Sequence, residues 1–229
     1  EKKRLSQNDL SRINTLMENE DFLFYDERVY ALEDQQIDKN GEHYGHMYVL
    51  NDITDNYNYT NLLHRKAYVD VNTGAKNRTC FEEDIQKLDA RLGEEENSDM
   101  KIGVIVCDLN GLKHTNDTLG HAVGDQMIAA AARIMKQEME GAKDVYRTGG
   151  DEFVVLYTGE SCSRMQDDIL RVEQACEAES QKYNFLLSIA MGYTLNKKGE
   201  KLQEIHKRAD DAMYKRKMEM KKDNPLLVR

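Results

Sequence analysis

The chain has 229 residues, 40% of them hydrophobic, and a formal net charge of −10. This length suits one large domain, or a small domain beside a medium one. The acidic balance argues against binding to a nucleic-acid polymer, which needs a basic surface, although a local basic site for one nucleotide remains compatible with it. No apolar stretch approaches the roughly 18 residues of a membrane-spanning helix and no signal peptide is recognisable, so we expect no membrane contact by this part.

The start of the chain and its cysteines bear on its cellular context. It begins EKKRLSQ without methionine, and we expect a longer protein whose upstream region could carry a membrane anchor. The four cysteines show no CxxC spacing; they are Cys80, Cys107, Cys162 and Cys176. Reduced, mostly buried thiols in a cytoplasmic domain are the expected state.

The first 55 residues differ from the rest because they carry aromatic and β-branched residues in short runs. Asn40-Gly41 is a strong hairpin signal, since both central residues of a type I′ turn need positive φ. We predict strands near 28–36 and 43–52, then a connecting helix over 56–69. A two-stranded hairpin alone is marginal in water, so this segment either packs against other structure or is the remnant of a larger domain.

From residue 70 onward, helical and strand patterns alternate. The spacing of apolar residues predicts, in chain order, a helix at 77–92, a strand at 101–107, a helix at 122–140, a strand at 144–147, a strand at 153–158, a helix at 162–183, a strand at 185–194 and a helix at 202–222. This order predicts an α/β (α+β) fold in which helices pack on a mixed sheet.

Asp108 follows the buried strand KIGVIVC, at the sheet edge where ligands usually bind. Two other interpretations compete with a binding role. Asp108 could cap a short helix that begins in DLNGLKHTND. A calcium-binding EF-hand loop fails on spacing, because it needs glycine at its sixth position and glutamate at its twelfth, whereas here glycine is fourth and Leu119 is twelfth.

The stretch YRTGGDEFVVLY sets two glycines and two acids between segments that read as strands. If strand 101–107 lies antiparallel to this hairpin, Asp108 approaches Asp151 and Glu152. Three carboxylates with no basic residue among them suit Mg²⁺ or Mn²⁺. Gly149 and Gly150 allow positive φ and remove side chains where a ligand could approach the backbone. An ordinary exposed turn with solvated acids is the simpler alternative.

Several nearby residues suit a nucleotide. Lys113 lies where a helix begins after the strand, a place that favours phosphate. Asn116 and Asp125 have the donor and acceptor groups that read guanine. Lys217 and Lys221 are one helical turn apart and share a face. Taken singly, each of these is more often a cap or a solvated surface residue.

Four segments together resemble the GGDEF family of diguanylate cyclases; they are DVNTGAKNR (70–78), DLNGLKHTNDTLGHAVGD (108–125), RTGGDEF (147–153) and ADDAMYKRK (209–217). The resemblance covers roughly residues 68–222. It implies the ferredoxin-like palm of nucleotide cyclases, a central mixed sheet flanked by helices. The implied reaction joins two GTP molecules into cyclic di-GMP and releases two pyrophosphates, with a homodimer that holds one GTP per protomer.

The match also implies roles for individual residues. Asp108, the Leu109 carbonyl and Asp151 would hold Mg²⁺ or Mn²⁺ with Glu152 beside them, and Asp151 would be the general base on the ribose 3′-hydroxyl. Asn116, His121 and Asp125 match substrate-binding positions, with Asn116 and Asp125 on guanine. Lys113, Lys217 and Lys221 match phosphate-binding positions.

Upstream, DKNGEHYGHMYVLNDIT resembles the last two strands of a PAS sensor domain. The implied organisation is a partial PAS-like segment at 1–55, a linker helix at 56–69, the cyclase domain at 70–222 and a tail at 223–229.

Three departures from the family pattern matter. Asn110 and Leu112 stand where the family often has Asp and Phe, and Lys221 stands where Arg is frequent, which replaces a bidentate grip with a point charge. Many relatives carry an R-x-x-D product-inhibition site, but here Glu140 and Lys143 reverse both charges.

Two alternatives to an active cyclase remain. One is a catalytically silent module that binds GTP or cyclic di-GMP, although silent members usually lose the acids or glycines that this chain keeps. The other is a dimerisation protein linked to a PAS domain, which would not need Asp108, Asp151, Asn116 and Asp125 together.

Overall fold

The computed structural model describes residues 22–39, 41–93, 100–183 and 185–224. The chain divides into two compact units between Arg65 and Lys66. The first contains a three-stranded antiparallel sheet of β1 (Phe22–Tyr25), β2 (Arg28–Lys39) and β3 (Glu42–Asp52), and helix α1 (Thr54–Tyr68) follows. The predicted strands near 28–36 and 43–52 are thus confirmed.

Strand β1 was not predicted. Its turn into β2 uses Asp26 and Glu27 with φ of +50° and +60°, and these residue types give no strong signal for a turn of positive φ. Of the predicted Asn40-Gly41 turn, Asn40 lies outside the described residues, and Gly41 has a φ of +85°. The helix predicted from residue 56 begins earlier because Asp52 Oδ1 accepts hydrogen bonds from the Thr54 backbone N–H and hydroxyl.

The second unit is built around a five-stranded sheet. In chain order its elements are β4 (Lys76–Asn77), α2 (Arg78–Leu92), β5 (Ile102–Leu109), α3 (Leu112–Leu119), α4 (His121–Glu138), β6 (Asp144–Arg147), β7 (Glu152–Thr158), a 3-10 helix (Gly159–Arg164), α5 (Met165–Ser180), β8 (Ile189–Leu195) and α6 (Leu202–Asp223). The strand order is β4-β6-β7-β5-β8. β4 runs parallel to β6 and the other pairs are antiparallel, so the predicted mixed sheet is confirmed.

The interior strand β5 is buried along its whole length. Because successive side chains of a strand point to opposite faces, Ile105 and Cys107 pack in one apolar cluster with residues of α4 and α5, whereas Val104 and Val106 pack in another with residues of α2 and α6. Helices therefore cover both faces of the sheet. All four cysteines are free and buried, as predicted.

Two boundaries differ from the prediction, and one short strand was not predicted. The helical pattern at 162–183 contains a 3-10 helix before α5, and strand β8 begins only at Ile189 instead of 185. Strand β4 was missed because two residues are too short for an alternating pattern. No helix in the described part combines the length and apolar character needed to cross a membrane.

A buried polar cluster centred on Asp84 joins α2 to the edge of the sheet. Asp84 Oδ2 accepts hydrogen bonds from the Tyr146 hydroxyl at 2.7 Å and Lys76 Nζ at 3.3 Å. Lys76 Nζ also lies 2.7 Å from Asp144. Burial alone would raise the pKa of Asp84, but the bonds from Tyr146 and Lys76 outweigh it and hold that pKa below its usual value. The ionised carboxylate therefore stabilises the fold.

We predict that Asp84→Ala lowers the free energy of unfolding by about 2–3 kcal/mol, because the buried Tyr146 hydroxyl loses its acceptor. Urea denaturation followed by circular dichroism measures this. The matched control is Asp84→Ala in a Tyr146→Phe background, where the hydroxyl is absent and the loss of unfolding free energy should be smaller.

The contribution of Asp84 to stability should also depend on pH. Since the pKa of Asp84 is lowered on folding, this contribution is present above about pH 3.9 and is lost as the pH falls through the pKa of the folded state. A loss that is equal at neutral pH and below the folded pKa would contradict this account.

Candidate active site

The C-terminal end of β5 and the N-terminal end of β7 lie side by side and bring the predicted acids together. We call the end of the sheet that carries Asp108, Asp151 and Glu152 the acidic edge. The strands pair antiparallel, and their register sets Asp108 opposite Glu152. One residue further, the Leu109 backbone N–H donates to the carbonyl oxygen of Asp151 at 3.0 Å. The residue that caps α3 is Gly111, with a φ of +75°, so the alternative in which Asp108 caps this helix is wrong. The predicted neighbours are therefore paired through their backbones.

Asp108 has only 7% of its surface exposed. Burial raises the pKa of its carboxyl, a hydrogen bond from Lys217 opposes this rise, and the charge of Asp151 adds to it. Lys217 Nζ lies 2.5 Å from Asp108 Oδ1. From the sequence we expected no basic residue among these acids, and this ion pair shows that expectation to be wrong. The partner lies 109 positions further along the chain, so local sequence gave no sign of it.

The chemistry of the donors fits a divalent cation. The carboxylates of Asp108, Asp151 and Glu152 and the Leu109 carbonyl offer only oxygen atoms, which Mg²⁺ and Mn²⁺ prefer. Within the described ranges, however, no three His, Cys, Asp or Glu side chains are grouped so that they could hold an ion by themselves. Mg²⁺ commonly takes further ligands from water and substrate phosphates. These residues thus fit a cation that binds together with a phosphate.

The turn between β6 and β7 contains Gly149 and Gly150, and the two positions differ in the room that they leave for a side chain. A Cβ on Gly149 would lie 2.6 Å from Glu152 Oε2, so a side chain there would displace that carboxylate. A Cβ on Gly150 would meet no atom within 4 Å, which leaves its outer side open to a ligand. Neither glycine is among the described residues with positive φ, so this turn does not use the positive φ that glycine allows.

Arg147 ties this turn to the segment that begins at Asp70. Its guanidinium donates to the Gly150 carbonyl at 2.8 Å and to Asp70 Oδ1 at 3.0 Å. Asp70 also accepts from the backbone N–H and hydroxyl of Thr73. Burial alone would raise the pKa of Asp70, but these bonds outweigh it and lower the pKa. No role was predicted for Arg147 or Asp70, although both lie inside the segments that resemble the family, because nothing in the sequence shows that they meet.

The residues expected near guanine lie on two helices that meet at Gly120. Asn116 is half-buried on α3, whereas His121 and Asp125 are exposed at the start of α4. Gly120, with a φ of +89°, forms the turn between the helix predicted to begin near Lys113 and the helix predicted at 122–140. Asn72 Nδ2 lies 3.5 Å from Asp125 Oδ1, at the outer limit of a hydrogen bond. The sequence analysis did not connect these two residues.

The remaining phosphate candidates divide between two helices. Lys113 is exposed on α3, and among the described residues it forms no ion pair with the acids. Lys217 and Lys221 lie on α6, and the charge of Lys221 also acts to lower the pKa of Asp108. The structure thus brings Lys217 and Lys221 to the acidic edge and leaves Lys113 without such a contact.

Asn110, which follows β5, contacts Met220 of α6 and so links the helix to the end of this strand. Its Nδ2 donates to Ser188 Oγ at 3.1 Å and contacts Met220 Sδ at 3.7 Å. Met220 lies between Lys217 and Lys221 in the sequence. Asn110 therefore helps to hold the lysine-bearing turn of α6 beside the acids, a role that the sequence analysis missed. Among the described atoms, its buried Oδ1 has no hydrogen-bond partner.

Comparison with known proteins adds independent information. The family model described as diguanylate cyclase, GGDEF domain, matches residues 67–223. The signaling protein YkoW of Bacillus subtilis is 30% identical over 171 residues, which are 72% of this chain and 21% of that protein. Diguanylate cyclase DgcM of Escherichia coli is 29% identical over 174 residues, 74% of this chain and 40% of the relative. The chain therefore spans less than half the length of these relatives.

Solved structures agree on the fold. The coiled coil and GGDEF domain of DgcB from Caulobacter crescentus, in complex with c-di-GMP, matches with a TM-score of 0.63 at 24% identity, over 71% of this chain and 86% of that one. The GGDEF domain of the same protein matches with a TM-score of 0.58 at 27% identity, over 66% of this chain and 91% of that one. The family match covers most of the chain and the fold agrees with it, so the chain belongs to the GGDEF-domain diguanylate cyclase family.

Proposed function

We propose that this chain is the catalytic part of a diguanylate cyclase that condenses two GTP molecules into cyclic di-GMP and releases two pyrophosphates. The observation that carries the proposal is the pairing of Asp108 with Glu152 at one sheet edge beside Lys217. Carboxylates can hold a metal ion and a lysine can bind phosphate, and here the two types of group lie next to each other. The named diguanylate cyclases among its relatives support the assignment.

Each half of the reaction forms one phosphodiester bond. The 3′-hydroxyl oxygen of one GTP attacks the α-phosphorus of the other, the bond to the β-phosphate oxygen breaks, and pyrophosphate leaves. Asp151 takes the hydroxyl proton as general base. Asp108, the Leu109 carbonyl and Asp151 would hold Mg²⁺ or Mn²⁺, with Glu152 beside them. Such a cation neutralises charge on phosphate oxygens and lowers the pKa of an attacking hydroxyl.

The other residues bind and orient the substrate. Lys113, Lys217 and Lys221 would contact the triphosphate, for which Lys217 would leave Asp108. Asn116, His121 and Asp125 would bind the nucleoside, with Asn116 and Asp125 on guanine. Phosphoryl transfers depend mainly on such positioning and on electrostatic stabilisation.

The ring product requires a homodimer, because one site holds one GTP and two bonds must form between two GTP molecules. Helix α1 has no buried residue, and it exposes Tyr59, Leu62 and Leu63 at a spacing that repeats on one helix face. We propose that this face pairs with a second copy. The sheet of β1, β2 and β3 would belong to a PAS-like sensor that sets the geometry of the pair.

A silent module that binds GTP or cyclic di-GMP is the second candidate. The chain keeps both motif glycines and both motif acids, and this favours the active enzyme. Incubation with GTP and Mg²⁺ and separation of the products distinguishes the two. Binding without any cyclic di-GMP would favour the silent module.

We predict that Asp151→Ala lowers the rate of cyclic di-GMP formation by at least about a hundredfold, because the reaction loses its base and a metal ligand. The fold should remain, since the structural contact of Asp151 is made by its backbone carbonyl. Chromatographic separation of GTP and cyclic di-GMP at successive times measures the rate. Asp167→Ala, which removes an exposed acid on α5, is the matched control and should retain activity. An Asp151→Ala protein that works at nearly the normal rate would remove the base and metal-site assignment.

A second prediction concerns recognition of the guanine base of GTP. Asp125 accepts hydrogen bonds from guanine N1–H and N2–H₂, which adenine does not offer in that arrangement. A polar group that the bound base covers and leaves unpaired costs on the order of 1–3 kcal/mol, so Asp125→Ser should narrow the preference for GTP over ATP. Competition between the two nucleotides in one assay gives the ratio. Equal use of ATP and GTP by the unmodified protein would contradict the assignment.

A third prediction concerns product control. Glu140 and Lys143 are exposed, and they place reversed charges where relatives use Arg and Asp. Initial rates should therefore be nearly insensitive to micromolar added cyclic di-GMP, and Glu140→Arg with Lys143→Asp should introduce binding that calorimetry detects. The structural contact of Lys143 is made by its backbone N–H, so both changes leave it intact. Strong, saturable inhibition of the unmodified protein from a surface away from Asp108 and Asp151 would oppose this prediction.

A further inference from the structure

Gly124 lies where α3 and α4 meet, and its missing side chain leaves room for Asn116. A Cβ built on Gly124 would lie 1.9 Å from Asn116 Oδ1 and 2.9 Å from Asn116 Cγ, closer than the 3.0 Å that real Cβ atoms respect. Leu112 Cδ1 would follow at 3.3 Å. The carboxamide of Asn116 therefore occupies the volume that the side chain of any other residue at 124 would take.

This contact is specific to one side chain. The backbone of α3 is not among the three atoms nearest the built Cβ; two of those atoms belong to the end of Asn116 and one to the end of Leu112. A methyl group at 124 can thus be accommodated by rotation of Asn116, without moving either helix. The fold loses little, but the carboxamide must leave its place.

The contact with Gly124 positions Asn116, since its carboxamide forms no hydrogen bond with another described residue. The Oδ1 atom lies against Gly124, and the two N–H donors of the amide remain available to a ligand. Gly124 also adjoins Asp125, so the contact that orients the amide lies next to the second residue proposed to read the base.

We infer that Gly124 is a positioning residue for base recognition, which fixes the conformation in which Asn116 meets guanine. The inference rests on the proposed function, from which it takes the role of Asn116. Glycine is a poorer helix former than alanine, so the glycine in α4 gives up helix stability in exchange for the position of a binding side chain.

The test compares the unmodified chain with Gly124→Ala, Asn116→Ala and the double variant. The ligand is 3′-deoxy-GTP with Mg²⁺, which binds but lacks the hydroxyl needed to cyclise, and calorimetry gives its Kd. Each single change should weaken binding about tenfold, which corresponds to one lost hydrogen bond to the base. The double variant should also be weakened about tenfold and not about a hundredfold, because without the carboxamide the added methyl displaces nothing.

Two further measurements separate positioning from damage. The preference for 3′-deoxy-GTP over 3′-deoxy-ATP should fall in Gly124→Ala, whereas its thermal midpoint should equal or exceed that of the unmodified chain, because alanine favours the helix. With GTP, KM should rise while kcat changes little. Gly141→Ala is the matched control, because its new Cβ would meet no neighbouring atom closer than 3.4 Å, and the affinity of this variant for 3′-deoxy-GTP should not change.

The outcomes distinguish this inference from the proposed function. If Asn116→Ala leaves both affinity and base preference unchanged, the proposed role of Asn116 fails and the inference fails with it. If Asn116→Ala weakens binding but Gly124→Ala does not, or if the two losses add, only the inference is overturned. Should Gly124→Ala fail to fold, folding of the double variant supports the contact, and failure of the double variant to fold contradicts it.

Discussion

A carboxylate buried at the end of β5 needs a cation, and much of the geometry of the second unit serves that need. A charge taken out of water is costly unless it is paired. Asp108 is paired with Lys217 on α6. This helix can approach the sheet because Gly192 of β8 has no side chain: a Cβ there would lie 2.0 Å from the Met213 backbone nitrogen. Met213 lies about one turn before Lys217, so the close packing of helix on strand carries the lysine to the acid.

The other side of the acidic edge is held by a second ionic contact. Arg147 binds the Gly150 carbonyl and Asp70, and thereby fixes the glycine turn against the segment that precedes β4. Hydrogen bonds of this kind, with a charged donor, are stronger and more directional than neutral ones. The hairpin tip that carries Asp151 and Glu152 is therefore held by backbone hydrogen bonds and by Arg147, and in the described part of the chain the two carboxylates form no hydrogen bond that holds it.

The sequence predicted those parts of the fold that depend on local periodicity. The buried strand at 101–107, the hairpin around GGDE and the long helices were predicted because apolar residues repeat along them at the period of a strand or a helix. From the strand and the hairpin, the meeting of Asp108 with Glu152 also followed, since an antiparallel pair has few possible registers. Lys217, Arg147 and Asn110 were different. Their partners lie 109, 77 and 78 positions away, and no local pattern encodes which distant side chains will meet.

Under the proposed function, the charges at this edge make the binding of metal and substrate depend on each other. Asp108, Asp151 and Glu152 supply three carboxylates, and Lys217 already neutralises the buried one. When Lys217 moves to a phosphate, Asp108 is left buried without a partner, which is the costly state. A divalent cation held by Asp108 would remove that cost, but in the absence of a phosphate it would compete with Lys217 for the Asp108 carboxylate. A triphosphate that binds without the cation is repelled by the carboxylates, and only the lysines offset this repulsion. Each ligand therefore binds better when the other is present, and this reciprocity follows from one ion pair between β5 and α6.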